Sequence, residues 1–269
     1  MDKTKIQFII TLLAVAVLFF LFSHKEGTDA LPPNGVAGVA EVVVPFDNLR
    51  LEAKSAYVFD IAEDKPIFEL NPEAQLPLAS LTKIMTVVVA KELMPESAFA
   101  SAGGVVDIAL VHSSNEAAAA LALMASDYIS SGSFLDFMNN KAKELDLRQT
   151  YFLNETGLDV SQNMSGAYGS AFDIVTLMKY AVENNPGLFE GTQYAQIGAI
   201  SNTNIYAAST TQLVASKTGF TDLSGGNLAI IFDAGFYHPV AVVVLGSSKE
   251  GRFSDIQKLI DATFEYLRK

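Results

Sequence analysis

An α+β architecture is expected from this 269-residue chain: one antiparallel sheet built from N- and C-terminal strands, flanked by helices, with an all-helical lobe inserted between them. Three observations lead there. Short aromatic and β-branched runs cluster near residues 56–70 and again between 212 and 245, as strands do. The stretch between them carries apolar residues at helical spacing. Half of the residues are hydrophobic, enough to bury a large core in one domain or two lobes.

Lys3 and Lys5 precede an apolar run over residues 8–22, which turns polar at Ser23-His24-Lys25-Glu26-Gly27. A run of that length behind positive charges fits a signal segment or a minimal membrane span. No small-x-small cleavage site follows closely. Residues 1–25 are therefore expected to be a cytoplasmic tip and an uncleaved signal anchor, with everything after them outside the cytoplasmic membrane. A cleaved signal peptide, leaving a secreted protein, is the alternative; either route exports the domain. Residues 26–48, which include Leu31-Pro32-Pro33-Asn34-Gly35, read as a linker. The folded domain then covers 49–269, with its helical lobe at about 93–190.

The chain has no cysteine, so no disulfide can staple the exported domain and its core must hold it alone. Net charge is −12; Asp2, Lys3 and Lys5 put +1 on the first 24 residues, leaving −13 on the rest. Such an acidic surface repels nucleic acid and anionic lipid, so neither is an expected partner, and the membrane is reached through the N-terminal anchor.

In the domain, Ala56-Tyr57-Val58-Phe59-Asp60-Ile61 and Pro66-Ile67-Phe68-Glu69-Leu70 flank a polar tetrad and read as a hairpin. Helices are expected over 80–93, from 105 to about 124 in an Ala- and Leu-rich stretch, over 133–145 and over 171–183. Residues 212–216, 227–232 and 240–245 are strand-like, Gly225-Gly226 reads as a turn between two of them, and 253–267 closes the chain as a helix. The cleft between sheet and helical lobe is the natural place for a site.

Ser80 and Lys83 stand three residues apart at the expected start of the first helix, with Pro77 just upstream, and so share a face one turn apart. A serine hydroxyl needs a base, and a lysine serves as one only when burial or a nearby cation destabilises its ammonium. By itself Ser-x-x-Lys is a weak signal. Ser113-Ser114-Asn115 offers a second hydroxyl and an amide, although Ser-x-Asn is as common at helix caps. Lys217-Thr218-Gly219 offers a cation, a hydroxyl donor and a glycine that lets a ligand lie along a strand; alone it is also an ordinary strand end. Lys83 and Lys217 cannot both stay protonated cheaply in one cleft, and Lys83, expected to be the more buried, should be the one that is neutral near pH 7.

Taken in order, Ser-x-x-Lys, Ser-x-Asn and Lys-Thr-Gly resemble the motifs of the penicillin-binding, serine-type D-alanyl-D-alanine carboxypeptidases, related in fold to class A β-lactamases. Residues 79–86, 134–145, Thr156-Gly157-Leu158-Asp159 and 217–222 extend the likeness to about residues 50–267. The resemblance implies that Ser80 is acylated by the penultimate D-alanine carbonyl of a peptidoglycan stem peptide, that Lys83 is its base and that Ser113 and Asn115 complete the proton network. It implies that Lys217, Thr218 and Gly219 hold the substrate along the strand, that the N–H groups of Ser80 and Phe220 form an oxyanion hole, and that Arg252 takes the terminal carboxylate. Read by itself, Arg252 is a charge beginning an exposed helix. β-Lactams are the implied inhibitors.

The chain departs from the family in its short Ser80-to-Ser113 separation, with 92–104 replacing a small β insertion, and in His112 and Glu155 at usual proline positions. A β-lactamase is one alternative, with Glu155 as its sole candidate for positioning a deacylating water; a non-catalytic peptidoglycan-binding protein is another. His24, His112 and His238 show no ligand spacing and there is no thiol, so neither a metal nor any other cofactor is expected.

Overall fold

The computed structural model describes residues 45–208 and 212–268. The expected anchor, and the linker up to residue 44, lie outside the described residues. Among the described residues, no helix is long and apolar enough to cross a membrane.

The hairpin forms as expected, β1 (Ser55–Asp60) against β2 (Lys65–Leu70). A short strand β3 (Leu76–Pro77) and a single 3-10 turn (Ala79–Leu81) lead into α1 (Thr82–Leu93). Pro77 is thus a strand residue paired with Tyr168, not a helix start. The helical stretch continues with α2 (Glu96–Ser101), α3 (Gly103–Leu110), α4 (Asn115–Ser126) and α5 (Phe134–Glu144). After β4 (Tyr151–Phe152) and β5 (Ala167–Gly169) comes α6 (Ala171–Asn184). A small hairpin, β6 (Gln196–Ile197) with β7 (Ile200–Ser201), precedes the long strands β8 (Leu213–Thr221), β9 (Gly225–Asp233) and β10 (Pro239–Ser247), and α7 (Gly251–Leu267) ends the described chain.

Three expectations are corrected. The Ala- and Leu-rich stretch from 105 to 124 is two helices, because the polar residues 112–114 break it where Ser113 takes φ +64°. The Lys-Thr-Gly tripeptide lies inside β8, which runs on to Thr221, rather than ending the strand. Gly225 and Gly226 pair with Thr221 and Phe220 as the first residues of β9.

The main sheet has five strands in the order β2-β1-β10-β9-β8, all antiparallel. The N-terminal hairpin therefore pairs with the last strand, so one sheet gathers both ends of the domain. Successive side chains of a strand point to opposite faces. Tyr57, Ala229, Ile231, Ala241, Val243 and Leu245 accordingly enter the core shared with the helical lobe. Val58, Leu228, Ile230, Phe232, Val240, Val242 and Val244 enter a second core under α7. Burial on both faces is why 240–245 is an unbroken apolar run rather than an alternating one. In α1, every residue from Thr82 to Ala90 is buried. Tertiary packing holds this helix despite three consecutive valines, which are poor helix formers.

Candidate active site

The 3-10 turn presents Ser80 at the mouth of α1 and the first α-helical turn buries Lys83, which is 0% exposed. The Lys83 Nζ lies 2.7 Å from Ser80 Oγ, 2.7 Å from Asn115 Oδ1 and 2.8 Å from the Thr156 carbonyl oxygen. These three acceptors match the three donors of an ammonium. Once the amine is neutral, the amide and peptide oxygens still accept its two hydrogens. Its lone pair is then left for the Ser80 proton, so the cage itself selects which bond reverses. Burial lowers Lys83 to about 7, against the opposing attraction of Glu116 and Glu155.

The second motif divides its labour. Ser114 is the N-cap of α4, its hydroxyl accepting from Ala117 N at 3.1 Å. The capping role thus falls on the middle serine, which leaves Ser113 and Asn115 to face the site. Ser113 is not among the partners of Lys83; its Oγ accepts from Lys217 Nζ at 2.6 Å. Lys217 is 1% exposed and also donates to the Thr218 carbonyl. Burial, with Lys83 and Arg252 as neighbouring cations, pushes Lys217 well below the ordinary lysine range. Both lysines are thus buried, and burial lowers each of them.

β8 can approach the nucleophile turn only because position 219 has no side chain. A Cβ there would stand 2.9 Å from the Leu78 carbonyl and 3.3 Å from Ser80 N. This brings the Ser80 N–H beside β8 one residue before Phe220, whose ring is half-exposed next to Lys249. Arg252 is not an exposed helix-start charge. It is 7% exposed, and its Nη1 donates to the Gly219 carbonyl at 2.7 Å. Lys83, Lys217 and Arg252 thus gather three basic side chains beside the motif end of β8, in a chain that is otherwise acidic.

Several residues that shape the site carried no assigned role in the sequence. Thr156 contributes only a carbonyl. Asn154 fixes that carbonyl, its Oδ1 accepting from Thr156 N, Thr156 Oγ1 and Gly157 N. Gly157, at φ +76°, packs so closely that a Cβ would fall 1.8 Å from the Ala79 carbonyl. Ala79 itself adopts φ +48° immediately before the serine, a conformation that persists only when its surroundings over-determine it. Asn227, fully buried, donates to the Pro77 and Leu78 carbonyls (2.9 and 3.0 Å) and accepts from Gly246 N. Backbone carbonyls and contacts across about 150 positions leave no local pattern, although Asn-x-Thr-Gly could have been read as a turn that fixes Thr156. Glu155 is half-buried, and its carbonyl accepts from Thr86 Oγ1 at 2.6 Å. His112 is exposed, its Nδ1 facing the Ser201 carbonyl.

Residues 96–101 of the short segment form α2, beside a cavity of about 500 Å³ lined by Phe99, Val106, Asp107, Gly191 and Tyr194 among others. None of Ser80, Lys83, Ser113, Asn115, Lys217 and Arg252 lines it.

Fold and site together define the penicillin-binding and DD-peptidase class. The crystal structure of penicillin-binding protein D2 from Listeria monocytogenes in its ampicillin-bound form superposes with a TM-score of 0.69 at 27% identity, covering 81% of this chain and 99% of that one. The chain belongs to the family described as D-alanyl-D-alanine carboxypeptidase, matching it over residues 100–249. That match takes in the second and third motifs; Ser80 and Lys83 precede it. Among named relatives, the Bacillus subtilis D-alanyl-D-alanine carboxypeptidase DacF is 28% identical over 250 residues, 80% of this chain and 63% of the relative. A D-alanyl-D-alanine endopeptidase of Pseudomonas aeruginosa is 26% identical over 92% of this chain and 86% of its own length. The chain thus spans less than two thirds of the carboxypeptidase relative.

Proposed function

We propose that the protein is a membrane-anchored, extracytoplasmic serine D-Ala-D-Ala carboxypeptidase that trims peptidoglycan stem peptides through an acyl-enzyme on Ser80. The observation that carries this reading is the 2.7 Å contact between Lys83 Nζ and Ser80 Oγ, inside a cage whose other two acceptors leave the amine's lone pair for the serine proton. Neutral Lys83 takes that proton as Oγ attacks the penultimate D-alanine carbonyl. The Ser80 and Phe220 N–H groups stabilise the tetrahedral oxyanion. As the C–N bond breaks, the departing D-alanine amine takes, by way of the Ser113 hydroxyl that Lys217 orients, the proton Lys83 removed from Ser80. Water then attacks the ester carbonyl, neutral Lys83 takes its proton, and that proton returns to Ser80 Oγ as the acyl C–O bond breaks. Arg252 and the Thr218 hydroxyl hold the terminal carboxylate.

Intact-mass analysis after incubation with penicillin tests the centre of this reading. The wild type should gain the full mass of the drug and keep it, and Ser80→Ala should gain nothing. Labelling of that variant at another serine would remove Ser80 from the reaction, and rapid release of hydrolysed drug would point to a β-lactamase instead. The reach of the match over the P. aeruginosa endopeptidase favours one second reading, cleavage of an internal D-alanyl bond. Release of free D-alanine from a stem peptide, compared with cleavage of a cross-linked dimer, separates the two.

A further inference from the structure

Thr203 joins the two walls of the site. It lies just after β7, where its N–H donates to the Val111 carbonyl at 3.0 Å, two residues before Ser113. Its Oγ1 stands 2.6 Å from Thr218 Oγ1 and 3.3 Å from the same Val111 carbonyl. The backbone around it is pinned. Asn202 Nδ2 donates to the Thr192 and Tyr194 carbonyls, its Oδ1 accepts from Asn204 N, and Thr192 Oγ1 accepts from Ser216 N in β8.

Two hydroxyls 2.6 Å apart share one hydrogen bond, so one of them must donate. The alternative acceptor for the Thr203 proton, the Val111 carbonyl, is farther away and already takes the Thr203 N–H. That bond has the same length whichever hydroxyl donates, but once an anion takes the Thr218 proton, Thr218 Oγ1 can only accept, and the Thr203 hydroxyl, turning from Val111, is the donor beside it. A hydroxyl that accepts is left with its own proton to give, and it gives it more strongly because the chain of bonds is polarised in one direction. Thr218 sits between Lys217 and Gly219 on β8, next to the Gly219 carbonyl that the Arg252 guanidinium binds, where an anion would meet that cation.

We infer that Thr203 is a positioning residue that, by donating to Thr218, commits the Thr218 proton to the free carboxylate of a substrate ending in an acyl-D-amino acid. This rests on the carboxypeptidase reading, since a ligand without that carboxylate gives the relay nothing to point at. Thr203 then acts on specificity through Thr218 and touches no reacting atom.

The test pairs a D-alanyl-D-alanine peptide acid with its C-terminal amide, and penicillin with its methyl ester, on the full chain. Thr203→Val keeps the shape and removes the hydroxyl. It should lower kcat/KM for the acid peptide, and the acylation rate for penicillin, by about three- to tenfold, the worth of one modest hydrogen bond. The amide and the ester should stay within about twofold of the wild type. Thr203→Ser should restore most of the loss, and Thr203→Val should add nothing in a Thr218→Val background. Equal losses for acid and amide would show that Thr203 merely braces the Ser113 loop, and no loss at all would show an idle contact; either overturns the inference. If wild-type Ser80 takes no penicillin, the carboxypeptidase reading fails by itself. Equilibrium binding of the acid and the amide peptides to the same variants then still decides the role of Thr203.

Discussion

Lys83 is chemically useful because of what surrounds it. Burial brings its ammonium to about 7, so the neutral amine becomes the majority form as pH rises through that value. The rate of acylation by penicillin should therefore climb through about pH 7 and level off above it; a rate that is flat between about pH 5 and 9 would contradict base catalysis by this lysine. The same shift bears on folding. An unfolded lysine titrates near 10.4, so between about pH 7 and 10 the unfolded chain binds more protons, and this group makes the folded state more stable as pH rises across that window. Arg252 supports a second expectation. Its guanidinium is held at 2.7 Å from the Gly219 carbonyl, and a charge-assisted bond to a carboxylate is worth about 1.5–3 kcal/mol. Arg252→Ala should slow turnover of a D-alanyl-D-alanine peptide roughly ten- to a hundredfold while barely affecting the amidated peptide. Equal turnover of acid and amide by the wild type would make Arg252 a structural brace for β8. At this scale the sequence was informative where chemistry sits in side chains at short spacing, as with Ser80 and Lys83. It was silent about the Thr156 carbonyl, because a backbone oxygen brought in from a distant loop leaves no mark in side-chain spacing.

At the level of single elements, the turn before α1 depends on a neighbour far along the chain. Gly157 occupies φ +76° with the Ala79 carbonyl where a Cβ would be. Gly157→Ala should cost about 3 kcal/mol in backbone strain and displaced packing. That lowers Tm by roughly 6–12 °C, and acylation should slow with it. Gly103, which has nothing within 4 Å of an added Cβ, is the control: Gly103→Ala should leave Tm unchanged or slightly raised, since alanine is the better helix former. If the two variants melt alike, the Gly157 contact is not a constraint. Elements with strong periodicity or caps were legible in advance, such as the β1–β2 hairpin and α5, whose Ser133 and Asp136 form a capping box. The α3–α4 break was not. Three polar residues between two alanine- and leucine-rich runs can sit on a helix surface, and only the pairing of Ser113 with Lys217 explains why they leave it.

The described domain is a sheet covered on both faces, and the site occupies only one end of it. Phe232 is fully buried in the core under α7, with its ring centroid 5.5 Å from that of Phe264. It lies on β9 five residues beyond Asn227, away from the motif end of β8. Phe232→Ala should cost about 3–5 kcal/mol, measured by denaturant unfolding, while the folded fraction keeps its wild-type acylation rate. A matching loss of acylation per folded molecule would show that the two cores are not independent. The class of fold was legible because strands at both ends of a helical stretch admit few layer arrangements. Which strand would meet the N-terminal hairpin was not, since β8, β9 and β10 present similar apolar runs and only the closed sheet makes β10 the partner.

That closure, Ser55 opposite Leu245, joins residues nearly two hundred positions apart, and contacts so distant in sequence form slowly because a long loop must close first. The serine and its lysine are made well before the strand that presses on them and the arginine beside it, which lie more than a hundred positions further on. Reactivity therefore waits on sheet closure, and a covalent penicillin label would report that the sheet has closed, not merely that the motif has been made.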